Sequence, residues 1–266
     1  QANVCHAYQI LHRHGIPDSN IIVMMYDDIA YNPENPRQGV IINKPDGPNL
    51  YPGVLKDYTK DEVTPENFIN VLTGNKKAME GRGSGKVLES GPEDHVFVFY
   101  TDHGAPGLIL FPDSQLYADH LINALKIMHQ KNMYKKLVFY LEACESGSMF
   151  SDILPSDINM FATTASDATH CAYATYCNVS EYKGVCLAGE YSAAWMEDID
   201  HEDHVRESVC TETLSEQFKK VTQRMEGSKP CEYGDMSLGN DHVTDFLGGS
   251  NTTSYPAEET KLLHLK

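Results

Sequence analysis

Two short segments carry a thiol and an imidazole, side chains suited to nucleophilic catalysis. Thr101-Asp102-His103-Gly104 follows the apolar run Val96-Phe97-Val98-Phe99-Tyr100, and Glu142-Ala143-Cys144-Glu145-Ser146-Gly147 follows Leu137-Val138-Phe139-Tyr140-Leu141. An ionised thiol is a nucleophile, and an imidazole beside it can take that proton and later return it to a leaving amine. Gly104 lets a main-chain N–H come close to a substrate, and with the N–H of Cys144 it would form an oxyanion hole. Ser146, Gly147 and Ser148 suit a chain turning sharply away from an open cleft. The competing reading is a strand-capping histidine and an inert thiol, the usual condition of a core cysteine. The pairing brings the catalytic reading level with the inert one, because two reactive residue types end two similar runs and each is followed by a glycine-bearing turn.

For these side chains to meet, the runs must be neighbouring strands. Short, continuous apolar runs read as strands buried on both faces, as in parallel sheets. A helical stretch at residues 118–131 lies between them, so the order is strand, helix, strand, a right-handed βαβ unit. Both C-terminal ends then lie on one edge of the sheet, where α/β proteins bind ligands. Adjacent strands are ~4.8 Å apart, which brings imidazole and thiol to a common point. Residues 21–25 read as a further buried strand and 160–164 as another. Helices are expected from the apolar spacing at Val4, Ala7, Ile10 and Leu11, from Thr64-Pro65-Glu66 to Gly74, and over 191–200 and 211–224. Residues 31–60, rich in Pro, Gly, Asn and Asp, read as a long loop or hairpin excursion. Gly81 to Lys86 has the wrong spacing for a phosphate loop and reads as a surface turn.

The 266 residues fit one or two domains, with a core large enough to fold without cross-links. No apolar run reaches the ~18 residues of a membrane-spanning helix. With 38 acidic against 21 basic residues the net charge is −17, which repels nucleic acid and anionic membrane surfaces and suits an acidic compartment. Seven cysteines leave at least one thiol unpaired. Cys177 and Cys186 bracket eight turn-forming, polar residues and are expected to form a disulfide. Glycosylation sequons at Asn178 and Asn251, beside closely spaced cysteines, favour the secretory pathway. Neither His201-Glu202-Asp203-His204 nor His12-Arg13-His14 has the further ligands of a zinc site, so both read as solvated surface histidines, and no metal is expected. Gln1 in place of an initiator Met, with no signal peptide before the first helix, suggests a mature or truncated chain.

The two reactive segments resemble those of the legumain family of asparaginyl endopeptidases, and the likeness extends to residues 5–11, 25–30, 56–59, 162–165 and 195–198. The resemblance implies a caspase-like α/β fold, with a largely parallel, six-stranded β-sheet flanked by helices on both faces. It implies a thiol peptidase cleaving proteins and peptides after Asn, less readily Asp, in a lysosome, a vacuole or a secreted acidic lumen. No cofactor is implied; cystatin-type inhibitors are implied as partners. His103 matches the catalytic histidine, Cys144 the nucleophile and Gly104 the oxyanion donor. Glu142 matches an acidic residue that recognises the asparagine amide, whose N–H a carboxylate can accept. Gly189 stands where the family has a second pocket carboxylate, and Glu190, one place along, is expected to bind substrate instead. Paired pocket serines appear as Cys171-Ala172. The family's buried strand before the opening helix, ending in an Asn and an Arg of the site, has no match. Residues 1–247 thus read as a catalytic domain lacking its first strand, and 248–266 as a tail leading toward a pro-domain. Two alternatives remain: the catalytic subunit of the glycolipid-anchor transamidase, and a non-catalytic relative acting as a binding module.

Overall fold

The apolar runs at residues 96–100, 137–141 and 160–164 become neighbouring strands because helices cover them from both sides. A computed structural model of the chain describes residues 1–182, 184–205 and 211–249. The elements are α1 (Ala2–Arg13), α2 (Pro65–Leu72), β1 (His95–Thr101), β2 (Gly104–Ala105), β3 (Leu108–Phe111), β4 (Ser114–Tyr117), α3 (Ala118–Gln130), β5 (Lys136–Glu142), β6 (Met160–Thr164), β7 (Ala174–Thr175), β8 (Ala188–Gly189), α4 (Glu190–Val205), α5 (Leu214–Arg224), β9 (Cys231–Gly234) and α6 (Thr244–Leu247). The main sheet has the order β1-β5-β6-β9, with β1, β5 and β6 parallel and β9 antiparallel at the edge. Val98, Leu137, Phe139 and Met160 face Leu121, Leu125 and Met128 of α3. On the other face Val138, Tyr140 and Phe161 meet Ile10 of α1, Trp195 and Ile199 of α4 and Val221 of α5. Each such side chain taken fully out of water contributes ~1.5–3 kcal/mol.

Local signals set the helix starts. The Thr64 side chain accepts from Asn67 N–H with Pro65 in the first turn, and Thr213 and Glu216 form a reciprocal capping box at α5. A three-stranded antiparallel meander, β2-β3-β4, leads from the end of β1 back to α3.

The sheet has four strands among the described residues, rather than six. Residues 21–25 are extended, but they pair outside the sheet. Met24 forms a single parallel bridge to Tyr58, Tyr58 N–H donates to the Val23 carbonyl (3.2 Å), and Met25 N–H to that of Tyr58 (3.1 Å). The Asp57 carboxylate, ion-paired with Lys86, accepts from Val23 N–H (2.9 Å) and holds the segment there. A cleft of about 1040 Å³, walled by residues 21–26 on one side and 95–101 on the other, lies between this segment and β1.

His12 and His201 are exposed as expected, but His14 is not a surface histidine. His14 is buried, bonded to Asp203 (2.9 Å) and the Leu247 carbonyl (3.1 Å), and His6 is buried between Asn43 and Asp200. Glu202 pairs with Lys220, and Asp203 also pairs with Arg13. The Asp200 and Asp203 contacts stitch α1 and its C-terminal cap to α4, and Glu202–Lys220 joins α4 to α5. Burial works against Asp200 ionising, but hydrogen bonds and charge from His6 and Arg13 hold its carboxyl down to about 2. No described helix is long and apolar enough to cross a membrane. Cys210, Asn251 and nearly all of the expected tail lie outside the described residues.

Candidate active site

β1 and β5 are adjacent and in register, with Thr101 opposite Glu142, and Asp102 N–H donates to the Glu142 carbonyl (3.1 Å). His103 and Cys144 therefore each stand two residues beyond the same rung, and both line the same cleft. Gly104 presses against the partner strand's end. A Cβ there would come within 2.5 Å of the Cys144 carbonyl oxygen and 2.8 Å of Ala143 Cβ, so a larger residue would push the two strand ends apart. His103 is fixed at its main chain, where its carbonyl accepts from Leu110 N–H of β3 (3.0 Å).

Past Cys144 the chain turns as its small residues suggest. Glu145 is left-handed at φ 53°, and residues 146–149 make one tight helical turn. Ser148 Oγ accepts from Gly107 N–H (2.7 Å), tying this turn to the β2–β3 turn after His103. Buried Ser146 and Ser166 bond to each other, and Ser166 Oγ donates to the Ala143 carbonyl (3.1 Å). The thiol is half-buried and directed at the Ala172 carbonyl (3.5 Å), with Cys171 one residue before that acceptor. Burial, with Cys171 and Glu145 adding to it, holds Cys144 above the usual thiol range despite the Ala172 bond.

Glu142 is buried at the end of β5. Its Oε2 accepts from Ser192 N–H (3.0 Å) and from the Ser192 hydroxyl, whereas Oε1 is buried with no partner. Burial dominates, pushing the carboxyl up to about 7 against the pull of those bonds. Gly189 leaves the space this carboxylate occupies, because a Cβ there would overlap it.

Glu190 does not join Glu142. Its carboxylate accepts from the N–H groups of Glu226 (2.6 Å), Gly227 (3.1 Å) and Ser228 (2.9 Å) and from the Ser228 hydroxyl (2.6 Å). The cause is local: four donors converge on one carboxylate, which stays ionised below its usual range although burial opposes this. Ser228 Oγ in turn accepts from Tyr173 N–H (2.9 Å), so Glu190 organises the loop beside residues 171–174.

Cys177 and Cys186 are joined by a disulfide, and Asn178 beside it is exposed. Asn3 was missed. From the head of α1 its side chain donates to Thr101 Oγ1 (2.9 Å) and accepts from Asn43 (2.9 Å) and from Gly189 N–H (3.4 Å), linking the ends of β1 and β8. Its partners are scattered along the chain, so no spacing rule could have found it. Among the described residues no group of three or more His, Cys, Asp or Glu converges as a metal site would require.

Residues 1–249 match the model of the peptidase C13 family. Mouse legumain is 49% identical over 265 residues, covering 100% of this chain and 59% of that protein. Human legumain is 46% identical over the same shares. The vacuolar-processing enzyme of Citrus sinensis is 50% identical over 260 residues, covering 93% of this chain and 51% of that protein. The chain thus spans less than three-fifths of the length of these relatives. Caspase-1 of Spodoptera frugiperda overlays with a TM-score of 0.43 at 13% identity, covering 71% of this chain and 73% of that one, too loosely to bear on the fold. With a family match running from its first residue through the last one described, the chain belongs to the peptidase C13 family.

Proposed function

We propose that the protein is a cysteine endopeptidase that hydrolyses peptide bonds after Asn, less readily after Asp, with Cys144 as nucleophile and His103 as its base and acid. One observation supports the reading: β1 and β5 share a register whose last rung is Thr101 and Glu142, and His103 and Cys144, each two residues beyond it, line one cleft. His103 takes the thiol proton as the sulfur attacks the scissile carbonyl carbon. The oxyanion is held by the N–H groups of Gly104 and Cys144. His103 then protonates the departing amine, and water hydrolyses the remaining thioester with His103 again as base. Before substrate arrives the thiol rests protonated on the Ala172 carbonyl, so the reaction begins when an incoming chain displaces that contact.

The unpartnered Oε1 of Glu142 accepts from an asparagine amide N–H when ionised and, protonated in an acidic compartment, donates to the amide oxygen instead, and Gly189 leaves it as the single pocket carboxyl of the pair. The preference for Asn is therefore broader than two carboxylates would give, by ~1–3 kcal/mol. The acidic charge balance and the disulfide support a lysosomal, vacuolar or secreted acidic setting, and Asn178 a glycosylated chain. The test is cleavage of matched Asn, Asp and Gln peptides by wild type, Cys144→Ala and His103→Ala, together with labelling by an electrophilic asparagine mimic. Both variants are expected to lose several orders of magnitude in turnover. Turnover by Cys144→Ala near the wild-type rate overturns the dyad, and failure of the mimic to label Cys144 favours a non-catalytic binding module.

A further inference from the structure

Cys171 is a free, exposed thiol standing next to the proposed nucleophile. Residues 144–145 and 170–172 run side by side: Glu145 N–H donates to the His170 carbonyl (2.8 Å) and the Cys144 thiol to that of Ala172 (3.5 Å). Cys171 lies between those two acceptors, which sets it beside Cys144. Hydrogen-bonded segments lie ~5 Å apart, within the ~4.4–6.8 Å between Cα atoms that a disulfide spans. The other described thiols are placed differently. Cys5 is fully buried, Cys231 directs its sulfur to the Lys229 carbonyl (3.7 Å), and Cys177 and Cys186 are already joined.

We propose that Cys144 and Cys171 form a reversible disulfide under peroxide, a thiol switch that turns the site off with Cys171 as the resolving residue. The switch rests on reading Cys144 as the nucleophile. Once ionised, the Cys144 sulfur attacks the O–O bond of hydrogen peroxide and becomes a sulfenic acid, and the departing hydroxide takes up the thiol's former proton to leave as water. The Cys171 sulfur then attacks the sulfenic sulfur. The S–O bond breaks, the S–S bond forms, and the hydroxyl leaves with the Cys171 proton as a second water. Two electrons have passed from the thiol pair to the peroxide. A dithiol reverses the state by exchange, and the cross-link removes the sulfenic acid before it climbs to irreversible oxidation.

The experiment exposes the reduced full chain to hydrogen peroxide, then follows cleavage of an Asn peptide, intact mass and a non-reducing peptide map. Expected are a loss of activity of about tenfold or more, a mass lower by two hydrogens and a peptide linking Cys144 to Cys171, all reversed by dithiothreitol. In Cys171→Ser, judged against its own reduced activity, peroxide instead adds oxygen to Cys144, and dithiothreitol no longer restores activity once two oxygens are present. The map decides apart from the assay. A Cys144–Cys171 link in a chain with no peptidase activity keeps the thiol pair and sinks the peptidase reading. Cys144 oxidised alone in wild type, or linked to Cys210 or Cys231, overturns the proposal whatever the activity.

Discussion

Glu142→Gln should remove a pH dependence that the wild-type fold carries. Burial lifts this carboxyl from its ordinary 4.5 to about 7. A group raised on folding contributes stability that is fully present below its unfolded pKa and lost as the pH climbs through its folded one. For Glu142 that window runs from 4.5 to about 7. At ~1.36 kcal/mol per pH unit the contribution lost is about 3 kcal/mol, a large part of the ~5–15 kcal/mol that holds a domain folded. Glutamine keeps an oxygen for Ser192 and does not titrate, so its own cost or gain is the same at every pH. Glu212, which burial also raises to about 7, titrates in both proteins and cancels in the comparison. Urea unfolding from pH 4.5 to 8 provides the assay. The difference in unfolding free energy, wild type minus variant, should fall by about 3 kcal/mol across that span and level off above pH 7. A difference that stays constant with pH would refute the argument, and would mean that the carboxyl is either hydrated or charged throughout.

Three further expectations follow from neighbouring contacts. Glu190→Gln weakens the anchor of residues 226–228, so limited proteolysis there should precede global unfolding and stability should drop by ~1–3 kcal/mol; cleavage unchanged from wild type would contradict this. Gly189→Ala sets a methyl group against the Glu142 carboxylate, costing ~1–3 kcal/mol, and the cost should shrink when Glu142→Ala is combined with it in a double-mutant cycle. Asp200 is held at about 2 against an ordinary 3.8, so its contribution is present above 3.8 and lost as the pH falls toward 2. Asp200→Asn should therefore flatten the acid limb of the stability curve, and an unchanged limb would show that the His6 and Arg13 contacts do not matter there.

What the sequence discloses follows from how each element is buried. β5 and β6 are buried along nearly their whole length, and such strands announce themselves as unbroken apolar runs. β9, Cys231–Gly234, is a short half-buried edge strand with no pattern to detect, and the two-residue β2 has none either. The run at 21–25 has the composition of a central strand, but composition does not name a partner, and its hydrogen bonds go to residues 57–58. The proposed pair is visible because both members stand just past strand ends; the residues that support it are not. Asn3, Asn43, Ser166 and Ser192 converge only after the chain has folded. Glu190 shows the opposite failure. Its place beside Gly189 suggests a pocket role, and only the loop returning at 226–228 reveals where its charge is used.

The bond between Cys177 and Cys186 alters what a cut in this region would look like. It closes residues 178–185 into a ring, and just outside it the β7–β8 pair leads directly to Gly189 beneath Glu142. A protease entering the exposed turn at Asn178 would open the ring without releasing either side. The nicked molecule would migrate as one band without reductant and as two with it. The floor beneath Glu142 would be insulated from damage to the loop above, so long as the sulfur link stayed oxidised.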